Sequence, residues 1–106
     1  MPKYLLKVSY TLDGIRGVRK EGGTKRREAA AQLCESAGGK LESMYFAFGT
    51  TDVYATADLP DNVAAANVAT AVAAAGGASC ETVPLLTIDE IDRAMNASVE
   101  YRPPGA

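Results

Sequence analysis

From Lys3 to Tyr10 the chain alternates, with Tyr4, Leu6, Val8 and Tyr10 on one side and Lys3, Leu5, Lys7 and Ser9 on the other. A period of two residues predicts a strand with one wholly apolar side and one mixed side. The period then lengthens, and Leu12, Ile15 and Val18 recur at helical spacing from about Thr11. Gly14 and Gly17 weaken that helix by up to about 1 kcal/mol each. Gly22-Gly23 breaks it, and a stronger helix is predicted from Thr24 to about Ala37, ended by Gly38-Gly39. Lys40 to Phe48 reads as a second strand, with Glu42, Met44, Phe46 and Phe48 opposed to Leu41, Ser43, Tyr45 and Ala47. The turn Gly49-Thr50-Thr51-Asp52 returns the chain into a third strand, Val53 to Leu59, and the two form a hairpin.

Pro60-Asp61-Asn62 opens an alanine-rich helix that stops at Gly76-Gly77. A fourth strand follows over about Ala78 to Leu86, where Pro84 points to an edge or irregular position. Thr87 and Glu90 have the spacing of a capping box, and Leu86 and Ile91 that of the hydrophobic staple around it, so a last helix starts there. After Ala97 the tail, with Pro103-Pro104-Gly105, runs extended. Residues 1–106 are therefore one domain, with about 98–106 as an extended C-terminal tail.

Strand, helix, strand, strand, helix, strand is the order of a ferredoxin-like βαββαβ sandwich. In this α+β fold helices cover one face of a four-stranded antiparallel sheet, here with a C-terminal helix added. The other face is left bare. Lys7, Ser9, Tyr45 and Tyr54 are expected on it, mixed with Leu5 and Leu41. A half-apolar face of that kind calls for a cover, and a second copy packed sheet to sheet around a shared cavity is the expected one. The alanine-rich helix points the same way. Its only polar side chains from Asn62 to Ala75 are Asn62, Asn67 and Thr70, and a helix apolar nearly all round tends to be buried on more than one side.

Composition then narrows the chemistry. None of the 106 residues is histidine, which removes the Ser-His-Asp triad, the Cys-His dyad and every histidine-ligated metal or haem site. The two cysteines, Cys34 and Cys80, stand in no metal or redox spacing and read as reduced, small core side chains. A net charge of −2 argues against a general nucleic-acid binder. No apolar run approaches the roughly 20 residues that span a bilayer. Met1-Pro2-Lys3 leads straight into a strand, so a cytoplasmic protein is expected.

The charge is unevenly placed. Residues 16–27 hold six of the eleven basic side chains and one acidic one, a local charge of +5; the remaining five basic against twelve acidic residues give −7. Lys25, Arg26 and Arg27 open a helix whose N-terminus is already positive, an arrangement unfavourable by about 0.3–1 kcal/mol per exposed charge. Gly22-Gly23 before them could present backbone N–H groups as a nest. Gly22, Gly23, Thr24, Lys25 and Arg26 are thus the candidate site for a phosphate or carboxylate on a small molecule. The alternative is a solvated basic face balanced by Glu21, Glu28 and a partner's acidic side.

A second constellation lies on the bare face: Lys7, Ser9, Tyr45, Tyr54 and Asp58, with Asp52 at the turn. Lys7, Tyr45 or Tyr54 in a half-dry cavity could serve as acid, base or oxyanion donor. Otherwise these groups hydrogen-bond across a dimer seam. A Pro2 amine, freed by loss of Met1, is a third and weaker base.

Taken together, Met1-Pro2-Lys3-Tyr4-Leu5, the run Glu21-Gly22-Gly23-Thr24-Lys25-Arg26-Arg27-Glu28, the hairpin Phe46-Ala47-Phe48-Gly49 through Asp52-Val53-Tyr54, and the tail Ser98-Val99-Glu100-Tyr101-Arg102-Pro103-Pro104-Gly105 resemble the GYD-domain family. Gly49 and Asp52 stand where the Gly-Tyr-Asp signature has its glycine and aspartate, and Thr51 stands in the place of the tyrosine. The resemblance implies a dimeric α/β-barrel of ferredoxin-like type and no defined activity. The expected protein is a small homodimeric ligand-binding or interaction domain, with an anionic small molecule at the basic helix start. It needs no cofactor or metal, and its partners are a second copy or a higher homo-oligomer rather than membrane or nucleic acid. The competing class is a cofactor-free enzyme, an isomerase or monooxygenase-like barrel, acting on a small organic acid in the dimer cavity.

Overall fold

The computed structural model describes residues 1–106. β1 (Lys3–Tyr10), β2 (Lys40–Phe46), β3 (Val53–Asp58) and β4 (Ala78–Leu85) form one antiparallel sheet in the order β2-β3-β1-β4. Between β1 and β2 run α1 (Leu12–Glu21) and α2 (Gly23–Ser36); α3 (Asn62–Ala74) joins β3 to β4, and α4 (Ile88–Asn96) follows β4. The architecture is the α+β, ferredoxin-like one that the periodicity predicts. β4 is an edge strand, where the lost N–H of Pro84 is tolerated.

The weakly helical segment after β1 is a complete helix. Thr11 caps α1, its side chain accepting from the Gly14 N–H at 3.2 Å. The glycine there answers to packing. A Cβ on Gly14 would lie 1.8 Å from the Gly77 carbonyl oxygen. Thr11 fastens the same contact, its N–H donating to Gly77 O and its hydroxyl to Gly76 O, each at 3.0 Å. Gly22 ends α1 and begins α2 at once, with φ of 89°, a value most side chains resist. The negative end of one helix thereby meets the positive end of the next.

Helices and sheet enclose Tyr4, Leu6, Val53, Ala55, Ala57 and Leu59, joined by Cys34 from α2 and by Ala65 and Val68 from α3. Tyr4 is fully buried, and its hydroxyl donates to Asn62 Oδ1 at 2.7 Å, so the polar tip is satisfied at the start of α3. Burial of that side chain stabilises the fold by roughly 1.5–3 kcal/mol. Cys34 and Cys80 are free thiols; burial pushes both up from the usual thiol value, so they act as small apolar side chains.

One expectation is corrected. Leu41 does not share the bare face with Tyr45. The pairing of β2 with β3 slips between Leu41 and Ser43, a bulge that leaves Glu42 unpaired. Leu41 opposes Ala57 and packs on the core with Met44, while Ser43 and Tyr45 oppose Thr56 and Tyr54. The extra residue inverts the strand's alternation across the bulge. Leu5 is on the open face, half-buried.

Several apolar surfaces have no cover within the chain. α3 buries Ala65 and Val68 but exposes Val63, Ala66, Ala71 and Ala73. α4 carries the expected capping box, yet none of its residues is buried, and it makes no substantial packing contact with another element. The radius of gyration, 16.7 Å, exceeds the about 13 Å of a compact chain of this length. The accessible surface is 7490 Å², against about 5,600 Å² for a compact monomer of this mass.

Candidate functional site

On the open sheet face, strand register places Glu81, Lys7, Tyr54 and Tyr45 in one lateral row across β4, β1, β3 and β2. Lys7 Nζ lies 3.5 Å from Glu81 Oε2. Tyr45 is 72% exposed and Tyr54 41%. The three candidate residues are therefore neighbours, but on a flat, wet surface that needs a cover before acid–base chemistry could profit from it. Ser9 is engaged locally, donating to Thr50 O at 2.9 Å.

Toward the Lys3 end, Lys3 Nζ bridges Asp58 Oδ1 at 2.8 Å and Glu42, and Glu42 accepts the Thr56 hydroxyl at 2.9 Å. The bonds to Asp58 and Glu42 raise the Lys3 pKa, and Lys3, then Thr56, holds Glu42 below the usual carboxylate value. This network ties three strands together through the bulged Glu42, with both carboxylates sharing the Lys3 ammonium. Asp52 is likewise structural: its Oδ2 accepts the Tyr10 N–H at 2.8 Å and its own N–H donates to Val8 O at 2.8 Å. The β2–β3 turn is thereby fastened to β1.

The basic run is split by helix geometry. Thr24, Lys25 and Arg27 are exposed at the start of α2, as is Gly23, and Gly22 is half-buried at the turn. Arg26 alone turns inward. It reaches a cleft of about 500 Å³ between α1 and the C-terminal half of α3, within the range of small-molecule sites. Small side chains leave the space between the walls unfilled: Gly14, Gly17 and Val18 on one side, Ala71, Val72 and Ala75 on the other. The polar lining consists of Tyr10, Asp13, Glu21 and Arg26.

Beneath the cleft a second cavity of about 100 Å³ enters the core among Leu6, Cys34, Met44 and Val68, and Arg26 is its sole charged lining residue. Tyr10, Arg26, Leu33, Val72 and Ala78 line both spaces, so Arg26 stands at the throat between them. Arg26 Nη1 donates to Glu21 Oε1 at 3.1 Å. Burial opposes its charge, but the Glu21 carboxylate and the adjoining Tyr10 hydroxyl outweigh that, and its pKa lies above the usual arginine value. The Arg26 Nε–H is buried and has no acceptor. Leaving such a donor unmade costs about 1–3 kcal/mol.

The cleft's ionised side chains, one cation and two carboxylates, suit a ligand with a single acceptor group and disfavour a polyanion. The sequence names Arg26 only together with Gly22, Gly23, Thr24 and Lys25, and it gives no sign of Tyr10, Gly17 or the α3 wall as lining. The available signal was Gly14 and Gly17 one turn apart, which reads as helix weakness until a facing helix is known.

A family model described as the GYD domain matches residues 4–95. This chain belongs to the GYD-domain family. The match takes in the sheet except Lys3, the first three helices and nearly all of α4, hence both the cleft and the open-face row. Asp52 of this GYD domain is the residue that locks the hairpin turn to the first strand. No curated protein matches the chain, and no solved structure does. No helix is long and apolar enough to cross a membrane.

Proposed function

We propose that this GYD domain is a non-catalytic binding module for a small molecule with an apolar body and one carboxylate or carbonyl end, received in the α1–α3 cleft. The observation that carries the reading is the buried Arg26 Nε–H without an acceptor, at the throat between a polar mouth and an apolar interior. A ligand oxygen there completes the hydrogen bond that the Arg26 Nε–H lacks, while the ligand's chain occupies the Leu6 and Met44 side. The basic helix start contributes one residue, Arg26; Gly22, Gly23, Thr24 and Lys25 shape the turn that aims it.

The module acts as a homodimer through the open sheet face. Exposed Tyr45 and Tyr54 with half-buried Leu5, Val83 and Leu85 form its apolar part. The excess of nearly 2,000 Å² over a compact monomer is more than the about 800 Å² that each partner buries in a standard interface. A second reading, a cofactor-free enzyme, rests on the Lys7–Tyr54–Tyr45 row, which dimerisation would enclose.

The test is calorimetric titration with hexanoate, benzoate, their amides and inorganic phosphate. The carboxylates bind, the amides bind more weakly, and phosphate does not. Gly17→Leu, whose side chain extends into the cleft where a Cβ meets nothing within 4 Å, abolishes binding and leaves the fold intact. Lys25→Ala leaves it unchanged. Binding that survives Gly17→Leu and Arg26→Gln together contradicts the reading.

A further inference from the structure

α4 is an amphipathic helix with nothing to pack against. Ile88, Ile91 and Met95 form one stripe, all exposed, and Leu86 precedes them, also exposed. The flanks are acidic: Asp89, Glu90 and Asp92 against Arg93. An acidic flank is repelled by anionic lipid, so the stripe is made for protein.

The matching surface is the outer side of α1. Leu12 and Ile15 are exposed there, 63% and 37%, and Arg16, Arg19 and Lys20 continue the same side toward the helix end. Asp13, Gly14, Gly17 and Val18 belong to the opposite side and line the cleft. Other apolar surfaces fit α4 less well. On the open sheet face Lys3 and Lys7 are already paired with carboxylates, and α3 carries no charged residue.

A chain cannot satisfy its own α4 this way. Lys3, opposite Leu85 where α4 departs, and Tyr10, where α1 departs, are the two ends of the eight-residue β1, about 23 Å apart. The nine residues of α4 extend only about 13 Å.

We infer that α4 of one copy docks antiparallel on the outer side of α1 of a second copy, and reciprocally, with Asp89 and Asp92 against Arg16, Arg19 and Lys20. The pairing buries both apolar stripes and sets each helix's negative end against the other's positive end. It is a surface distinct from the sheet face and leaves the cleft open to solvent beside it.

Charge reversal tests it. One full-length variant carries Asp89→Lys with Asp92→Lys, and another Arg16→Glu with Arg19→Glu; all four positions are exposed, and Asp89 makes a surface ion pair with Arg93 at 3.3 Å, so the helicity of each variant is checked by circular dichroism. With Tyr45→Lys and Tyr54→Lys added to parent and variants alike to remove sheet-face association, each variant alone in low salt dimerises at least about tenfold more weakly than that parent by light scattering and sedimentation, since both contacts then bring like charges together. Mixed one to one, they form heterodimers with near-parental affinity, because each α4 meets an α1 of opposite sign. Unchanged dimerisation of the single variants, a mixture no tighter than its components, or a parent that is monomeric at 50 µM overturns the inference. A smaller assembly on Tyr45→Lys with Tyr54→Lys reports on the sheet face, and the mixing result in that background reports on α4, so the two surfaces fail separately.

Discussion

The same substitution one turn apart in α1 is expected to change stability with opposite sign. Gly14 and Gly17 both lose up to about 1 kcal/mol of helix propensity relative to alanine. At Gly17 a Cβ meets nothing within 4 Å, so Gly17→Ala recovers most of that. At Gly14 the Cβ would stand 1.8 Å from the Gly77 carbonyl oxygen, a backbone atom that cannot swing aside. α1 must retreat by more than an ångström, and the two Thr11 bonds to Gly76 and Gly77, each 3.0 Å, lengthen or break. With each bond at about 0.5–1.5 kcal/mol, losing both outweighs the propensity gain, and Gly14→Ala is destabilising by up to about 2 kcal/mol. For a chain of this size 1 kcal/mol moves Tm by about 4–5 °C. Calorimetry at one fixed protein concentration should show Gly17→Ala up by about 3–4 °C and Gly14→Ala down by up to about 9 °C. A rise for Gly14→Ala equal to that for Gly17→Ala would refute the close approach of α1 to the α3–β4 turn, and with it the shape of the cleft.

Other consequences follow from single contacts. Tyr4→Phe leaves the Asn62 carbonyl without its 2.7 Å donor and lowers stability by about 1 kcal/mol in urea unfolding, with no change in m-value. Asp52→Ala strips the Tyr10 N–H of a charged acceptor and costs about 1.5–3 kcal/mol, whereas Asp52→Asn, which keeps an acceptor oxygen, loses less. Glu90 is held below the usual carboxylate value by the Thr87 N–H it accepts, then by the Thr87 side chain. Its contribution to α4 is therefore complete above the unfolded value and disappears as pH falls through the lower folded one. An NMR titration of the Glu90 side chain with a midpoint at or above that of an unstructured glutamate contradicts the capping box.

Much of the fold was legible because period and punctuation agree along the chain. Tyr4, Leu6 and Val8 alternate, Asp61 and Thr87 cap helices that begin where expected, and Gly22, Gly38 and Gly76 stand at φ values near +85° where elements end. The phase of β2 was not legible. Its bulge sits at Glu42, with no glycine or proline to mark it, and the extra residue is held by the Lys3 bridge, a partner 39 positions away.

The site was half legible. Three consecutive basic residues on a helix point 100° apart, and which of them turns inward depends on Tyr10 and Glu21, positions that no local pattern connects. The cleft depends on the separation of α1 and α3, set by Gly14 against Gly77, and so appears only once those elements are in place. α4 announced itself as a helix, but its lack of a partner within the chain is a tertiary fact.

The central claim is that Arg26 offers its side chain to a ligand at the throat of the α1–α3 cleft. The direct measurement is the Arg26 Nε–Hε cross-peak in a ¹⁵N-labelled sample as hexanoate is added. The account predicts a downfield shift of that proton with slowed solvent exchange, accompanied by shifts at Gly17 and Val72 and lost in Gly17→Leu. Shifts confined to Lys7, Tyr45 and Tyr54, or an Arg26 signal indifferent to every carboxylate, would contradict it.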